Sequence, residues 1–157
     1  MGPFELNTTI SNLRNLRESD LSAYDAVYLG NIYCRIYEDN FLERLDDLEE
    51  GIALVQTYGR PGESVQGMGT SNPFSFATQR PPAHGGAVNL SPTNIAPSAM
   101  PPKKLLIGDV DLLLVPKFPA SDRQTLAAVL QSYPELLGSE YLQVAESPNW
   151  TLYRRAN

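Results

Sequence analysis

The spacing of apolar residues along this chain changes several times, and each change predicts an element. Phe41, Leu45, Leu48, Ile52 and Val55 alternate steps of four and three, which draws one stripe along a helix. That helix is expected over 39–59, with Asn40 and Glu43 as a capping box and Tyr58-Gly59-Arg60-Pro61-Gly62 as its stop. Ser64 to Met68 reads as a weak strand resting on Val65. Further on, Pro101-Pro102-Lys103-Lys104 followed by Leu105 to Ile107 predicts a short helix that Gly108 ends. Leu112 to Val115 is a continuous apolar run closed by Pro116, the pattern of a strand covered on both faces. This strand is the centre of the expected fold. Leu126, Ala127, Val129, Leu130 and Tyr133 mark a second amphipathic helix over 122–133, with Ser121 and Gln124 as its capping box and Pro134 at its end. Tyr141 to Glu146 alternates as a strand, Ser147-Pro148-Asn149 turns the chain, and Trp150 to Arg155 returns antiparallel. The first 37 residues are weakly patterned: Asp25 to Gly30 reads as a strand, and Ile32, Tyr33, Ile36 and Tyr37 follow with helical spacing.

Strand 111–115, helix 122–133 and strand 141–146 form an expected right-handed, parallel βαβ unit. Strand 64–68 is placed parallel beside the central strand, with the short helix in its crossover, and the terminal hairpin supplies an antiparallel edge. The fold class is therefore α/β: a small Rossmann-like, mainly parallel sheet with helices on its faces and a C-terminal antiparallel hairpin. The length of 157 residues suits one such domain over 1–157, with a poorly defined segment at 1–37 and a long Pro-rich loop at 70–103. In such sheets ligands bind beyond the carboxyl ends of the strands, which gathers Gly69, Ser71, Asn72 and Lys117 as candidate ligand-binding residues.

Charge narrows the range of partners. A net charge of −6 argues against nucleic acid or an anionic membrane surface as the main partner, since both attract basic patches. No apolar run approaches the ~20 residues that cross a bilayer, and the first residues lack the charged start and apolar core of a secretory signal, so the chain as given is expected to be soluble. Cys34 is the only cysteine, which excludes an intramolecular disulfide and a multi-cysteine metal site. Its surroundings read as a small core position; Arg35 is the one basic neighbour that would favour a thiolate.

Candidate chemistry is sparse. Seven carboxylates lie between Glu38 and Glu50 and fall largely opposite the apolar stripe, the arrangement of a solvated face. Gly67-Met68-Gly69 after a strand resembles a phosphate-binding turn. The third glycine and a following lysine are missing, however, and Asn72-Pro73 argues against an immediate helix. From Thr70 to Lys103 the chain holds seven of its 13 prolines and no acid. Phe74, Phe76, Arg80 and His84 are its landmarks, either lining a binding surface or packing on the body; Arg80 and His84 join the candidate ligand-binding set. His84 is the only histidine, and no Gly-x-Ser-x-Gly or His-x-x-x-His spacing occurs. No catalytic residue, metal ligand set or cofactor is assigned.

Several segments taken together resemble the C-terminal soluble region of bacterial polytopic membrane glycosyltransferases that use lipid-linked sugars, the mannosyltransferase or aminoarabinose-transferase type. The matching residues are Leu48 to Val55 with Arg60-Pro61-Gly62-Glu63, Ser71 to Ala77 with Pro81-Pro82 and Gly85-Gly86, Gly108 to Lys117, and Val144 to Arg155. The resemblance implies an extracytoplasmic α/β domain tethered to the transmembrane portion of the same protein. Such a domain would help dock a glycan or lipid-linked sugar, or pack on the membrane part, without turnover of its own. In that type the catalytic carboxylate lies in a loop between membrane helices, so no catalytic residue carries over to this chain. The alternative is a free-standing α/β module that binds a small anionic ligand, a nucleotide or sugar phosphate, at the carboxyl ends of the strands. A small enzyme working through His84 or Cys34 ranks last.

Overall fold

The computed structural model describes residues 38–69, 72–87, 90, 95–117 and 123–156. The chain divides into two compact units, Met1–Glu49 and Glu50–Asn157. The boundary falls inside helix α1, Glu38–Tyr58. The second unit then runs β1 (Val65–Gly67), α2 (Phe74–Ala77), a 3-10 turn (Pro97–Ala99), α3 (Lys103–Ile107), β2 (Leu112–Pro116), α4 (Arg123–Ser132), β3 (Tyr141–Glu146) and β4 (Trp150–Arg155). Among the described residues no helix is long and apolar enough to cross a membrane. Asp25 to Gly30, the 32–37 spacing, Cys34 and the Ser121 cap lie outside the described residues.

The fold is α/β, with a four-stranded mixed sheet in the order β1-β2-β4-β3. β1 pairs parallel to β2, whereas β2 with β4 and β4 with β3 pair antiparallel. Two sequence expectations change. The hairpin does not add its second strand at the rim, because β4 inserts between β2 and β3, and only one of the three pairings is parallel. Burial explains the insertion. Trp150, Thr151 and Leu152 of β4 are all buried, whereas Leu142, Gln143 and Glu146 of β3 are exposed, as suits an edge. A register shift between Gln143 and Ala145 interrupts that edge. β3 runs in the same direction as β2 but does not pair with it, since β4 lies between them.

β2 is buried at all five positions, which is why it can be the centre. Its alternating side chains serve two layers. Leu113 and Val115 join a cluster with Met68, Leu106, Ile107 and Val129, which places α3 and α4 on one face. Leu114 lies against Gly51 of α1, beside Phe74, and is paired with Leu152. The long Pro-rich stretch is therefore not a plain loop: Phe74, Leu90 and Ile95 are each at most 2% exposed, and α2 starts directly after Pro73, its N-cap. Proline is tolerated there because the first-turn N–H groups need no intrahelical partner, so Asn72-Pro73 begins a helix where the sequence argued against one.

Other local expectations also shift. α1 is already helical at Glu38, so Asn40 lies inside it and does not cap it. Glu50 is not part of a purely solvated face: its carboxylate accepts the Asn149 backbone N–H at 2.8 Å and the Asn149 side-chain amide at 3.1 Å. In α4, Thr125 is buried and Ala127 exposed, the reverse of the drawn stripe.

Two polar devices hold the amino ends of the sheet. The Ser64 N–H and Oγ–H both donate to Asp111 Oδ2 at 2.8 Å, and the Asp111 N–H donates back to Ser64 Oγ at 3.0 Å. Arg154 donates to both oxygens of Glu63, at 2.7 and 3.1 Å, and its Nη2 also reaches the Tyr58 carbonyl. This second pair is shielded, with side chains 19% and 14% exposed. Burial pushes the Glu63 carboxyl up, but the hydrogen bonds from Arg154 and from the Arg60 N–H, with the two arginine charges, outweigh it and hold it below the ordinary 4.5. A depressed folded-state value means stabilisation that is complete above 4.5 and is lost as pH falls through the lower folded value. Urea unfolding from neutral pH into the acid range should show stability falling there, and Glu63→Gln should lose stability at neutral pH and flatten the slope.

Candidate functional site

Because β1 and β2 are parallel, their carboxyl ends bring Gly69, Asn72 and Lys117 to the same end of the sheet. Ser71 lies outside the described residues. Asn72 Oδ1 accepts the Gly67 N–H at 2.9 Å and closes the turn after β1. The Gly69 carbonyl accepts the Leu90 N–H at 2.9 Å, which ties the Pro-rich stretch to the turn. Lys117 Nζ donates to Glu146 Oε2 at 2.7 Å and to the Ser147 carbonyl at 2.8 Å, bridging to the hairpin turn. The Glu146 carboxyl is held below its usual range, first by the Lys117 hydrogen bond and then by its charge.

The other two candidates lie apart from this cluster. Arg80 donates to the carbonyls of Arg60, Glu63 and Val55, so its guanidinium closes the carboxyl end of α1. Gly59 makes room for it, since a Cβ there would stand 2.6 Å from Arg80 Nη2. A cation at a helix C-terminus also complements the dipole. His84 is exposed and contributes backbone: it bridges to Asp109, whose N–H donates to the His84 carbonyl at 2.8 Å.

The opposite end of the sheet carries a cleft of about 460 Å³, between α3, the start of β3 and the end of β4. Lys103, Lys104, Glu140, Tyr141 and Arg155 supply its polar lining, and Ile107 and Leu136 part of its apolar lining. Tyr141 is 3% exposed, and its hydroxyl donates to the Val110 carbonyl at 2.7 Å. The Arg155 guanidinium carbon stands 5.9 Å over the Tyr141 ring centroid, its Nε donates to the Tyr141 hydroxyl at 3.4 Å, and its Nη1 pairs with Asp109. Burial pushes the Tyr141 hydroxyl up, against the opposing effect of Arg155. Lys103 pairs with Glu140 and with Glu135, and the Glu140 hydrogen bond is the main cause of its raised pKa. Lys104 is exposed, and its charge is felt at Asp109.

No family model, curated protein or solved structure matches this chain.

Among the described residues no group of three or more His, Cys, Asp or Glu side chains is placed to hold a metal ion. Lys103, Lys104, Tyr141 and Arg155 were not among the sequence candidates. A signal for three of them exists, because Lys103-Lys104 and Arg154-Arg155 are basic pairs in an acidic chain. Nothing in the sequence, however, says that residues about fifty positions apart meet across one cleft.

Proposed function

We propose that this chain is a non-catalytic accessory domain of a larger bacterial membrane protein of the glycosyltransferase-like type. It is held on the extracytoplasmic side, where it docks a glycan or lipid-linked sugar or packs on the membrane portion. Its sheet is read as a reduced Rossmann-like one, with three of four strands running the same way and a crossover between the first two. The observation that carries the reading is the use made of the polar side chains at the carboxyl ends. Asn72 and Lys117 there, like Arg80 at the end of α1, are bonded to backbone or to a neighbouring side chain. A docking body needs those groups for rigidity.

The test is topological. In spheroplasts expressing the native gene with a tag at the end of this domain, external protease should remove the tag while a cytosolic marker survives. The coding sequence before Met1 should also hold several apolar segments of about 20 residues. A protected tag, or a gene that opens at Met1, overturns the proposal.

The shared sheet end of Gly69, Asn72 and Lys117 favours a second reading, a free-standing module for a nucleotide or sugar phosphate. Its sign would be a rise in melting temperature with such ligands that Lys117→Ala abolishes; no rise across the panel retires it.

A further inference from the structure

The cleft between α3, the start of β3 and the end of β4 gathers three cations in an acidic chain. The chain as a whole has 12 lysines and arginines against 18 acids, and three of those cations, Lys103, Lys104 and Arg155, line this one cleft, with Glu140 in the lining and Glu135 and Asp109 paired to them from beside it. We propose that the cleft binds a small organic oxyanion, a carboxylate or a phosphate monoester. This goes beyond the docking role above and stands whether or not the chain belongs to a membrane protein.

Three features carry the argument. First, the volume of about 460 Å³ lies within the range of roughly 300–1,000 Å³ found for small-molecule sites. Second, the cationic wall is built before any ligand arrives. Arg155 is held over the Tyr141 ring and against its hydroxyl, and Tyr141 is itself anchored to the Val110 carbonyl. Holding a guanidinium in place lowers the ordering cost of binding, and its planar fork suits two oxygens of one anion. Third, the competing acids are exposed ones. Asp109 on Arg155 is 71% exposed, and Glu135 and Glu140 on Lys103 are 46% and 38% exposed. Pairs as open as these exchange readily for a better-shaped anion, because solvent already weakens them. Lys104 is exposed on the same helix as Lys103 and also lines the cleft. A cleft of about 460 Å³ is also far larger than a bare inorganic ion fills.

The experiment is a titration of the full chain, followed by amide 1H–15N NMR, with phenyl phosphate, benzoate and inorganic phosphate as probes. Saturable shifts are expected at Gly108, Ser139 and Ala156 with phenyl phosphate or benzoate, and the tighter of the two identifies the headgroup. Lys104→Met should weaken that binding about tenfold, the loss of one charge-assisted hydrogen bond, while leaving the melting temperature unchanged. Inorganic phosphate binding as tightly as phenyl phosphate would overturn the assignment to an organic anion. No saturable shift with any probe, shifts indifferent to Lys104→Met, or shifts centred on Lys117 would overturn the site.

Discussion

Replacing Phe74 with alanine should lower the free energy of unfolding by about 3–5 kcal/mol, among the largest losses available to a single side chain here. Phe74 is 1% exposed and wedged between two glycines. A Cβ placed on Gly51 of α1 or on Gly67 of β1 would stand 2.7 Å from its ring. On a third side the ring meets Trp150 of β4 in a T-shaped contact, with centroids 5.1 Å apart and planes at 83°. One aromatic ring thus joins α1, β1 and β4, and truncating it opens a cavity that three elements would have to close together. Urea denaturation measures the loss. The glycines make the test sharper. Gly67→Ala should be severely destabilising in the native background and far milder once Phe74 is alanine, because the clash and the ring disappear together. Additive effects would show that the glycine is small for some other reason.

Gly108→Ala is expected to cost about 3 kcal/mol or more, for a different cause. Gly108 ends α3 with φ 67° and ψ −151°, a conformation essentially reserved for glycine. A Cβ at this position would also fall on the Gly86 nitrogen and the His84 carbonyl oxygen, which are backbone atoms with nowhere to move. The segment cannot shift cheaply, because the Asp109 N–H donates to His84 O and the Ala87 N–H to Leu106 O on either side. Gly62 supplies the control. It has φ 83° but open space where a Cβ would go, so Gly62→Ala should cost only about 1–2 kcal/mol of backbone strain. Equal losses at the two positions in urea melts would mean that crowding at Gly108 counts for nothing.

Both expectations concern glycines whose reason is invisible in the linear chain. Gly108 was legible as a helix stop, since a glycine after Leu105-Leu106-Ile107 has a local meaning. Its close approach to Gly86 was not legible, because that depends on where a distant loop is pinned. The same division runs through Gly108-Asp109-Val110-Asp111, which lies between the helix stop and the apolar strand. Only the fold gives its two acids separate tasks, Asp111 stapling Ser64 at the head of β1 and Asp109 pairing Arg155 at the cleft. The candidate binding residues show it again. Gly69, Asn72 and Lys117 do share a sheet end, as parallel strands require, but their hydrogen bonds to Leu90, Gly67 and Glu146 could not be read from spacing.

The sequence by itself determined the elements whose cause is periodic and local: the long amphipathic helix, the apolar strand Leu112–Pro116, the second helix and the terminal hairpin. A period of four and three, or an unbroken apolar run, permits little else once proline and glycine mark the ends. Tertiary structure alone decided that β4 lies inside the sheet and β3 at its rim, that a Pro-rich stretch supplies core through Phe74, Leu90 and Ile95, and that Lys103, Lys104 and Arg155 line one cleft while Arg154 turns to Glu63. A hairpin can add to a sheet by either of its strands with equal local satisfaction. The choice falls to whichever strand buries more apolar surface on both faces, and that depends on layers folded from residues far away in the chain.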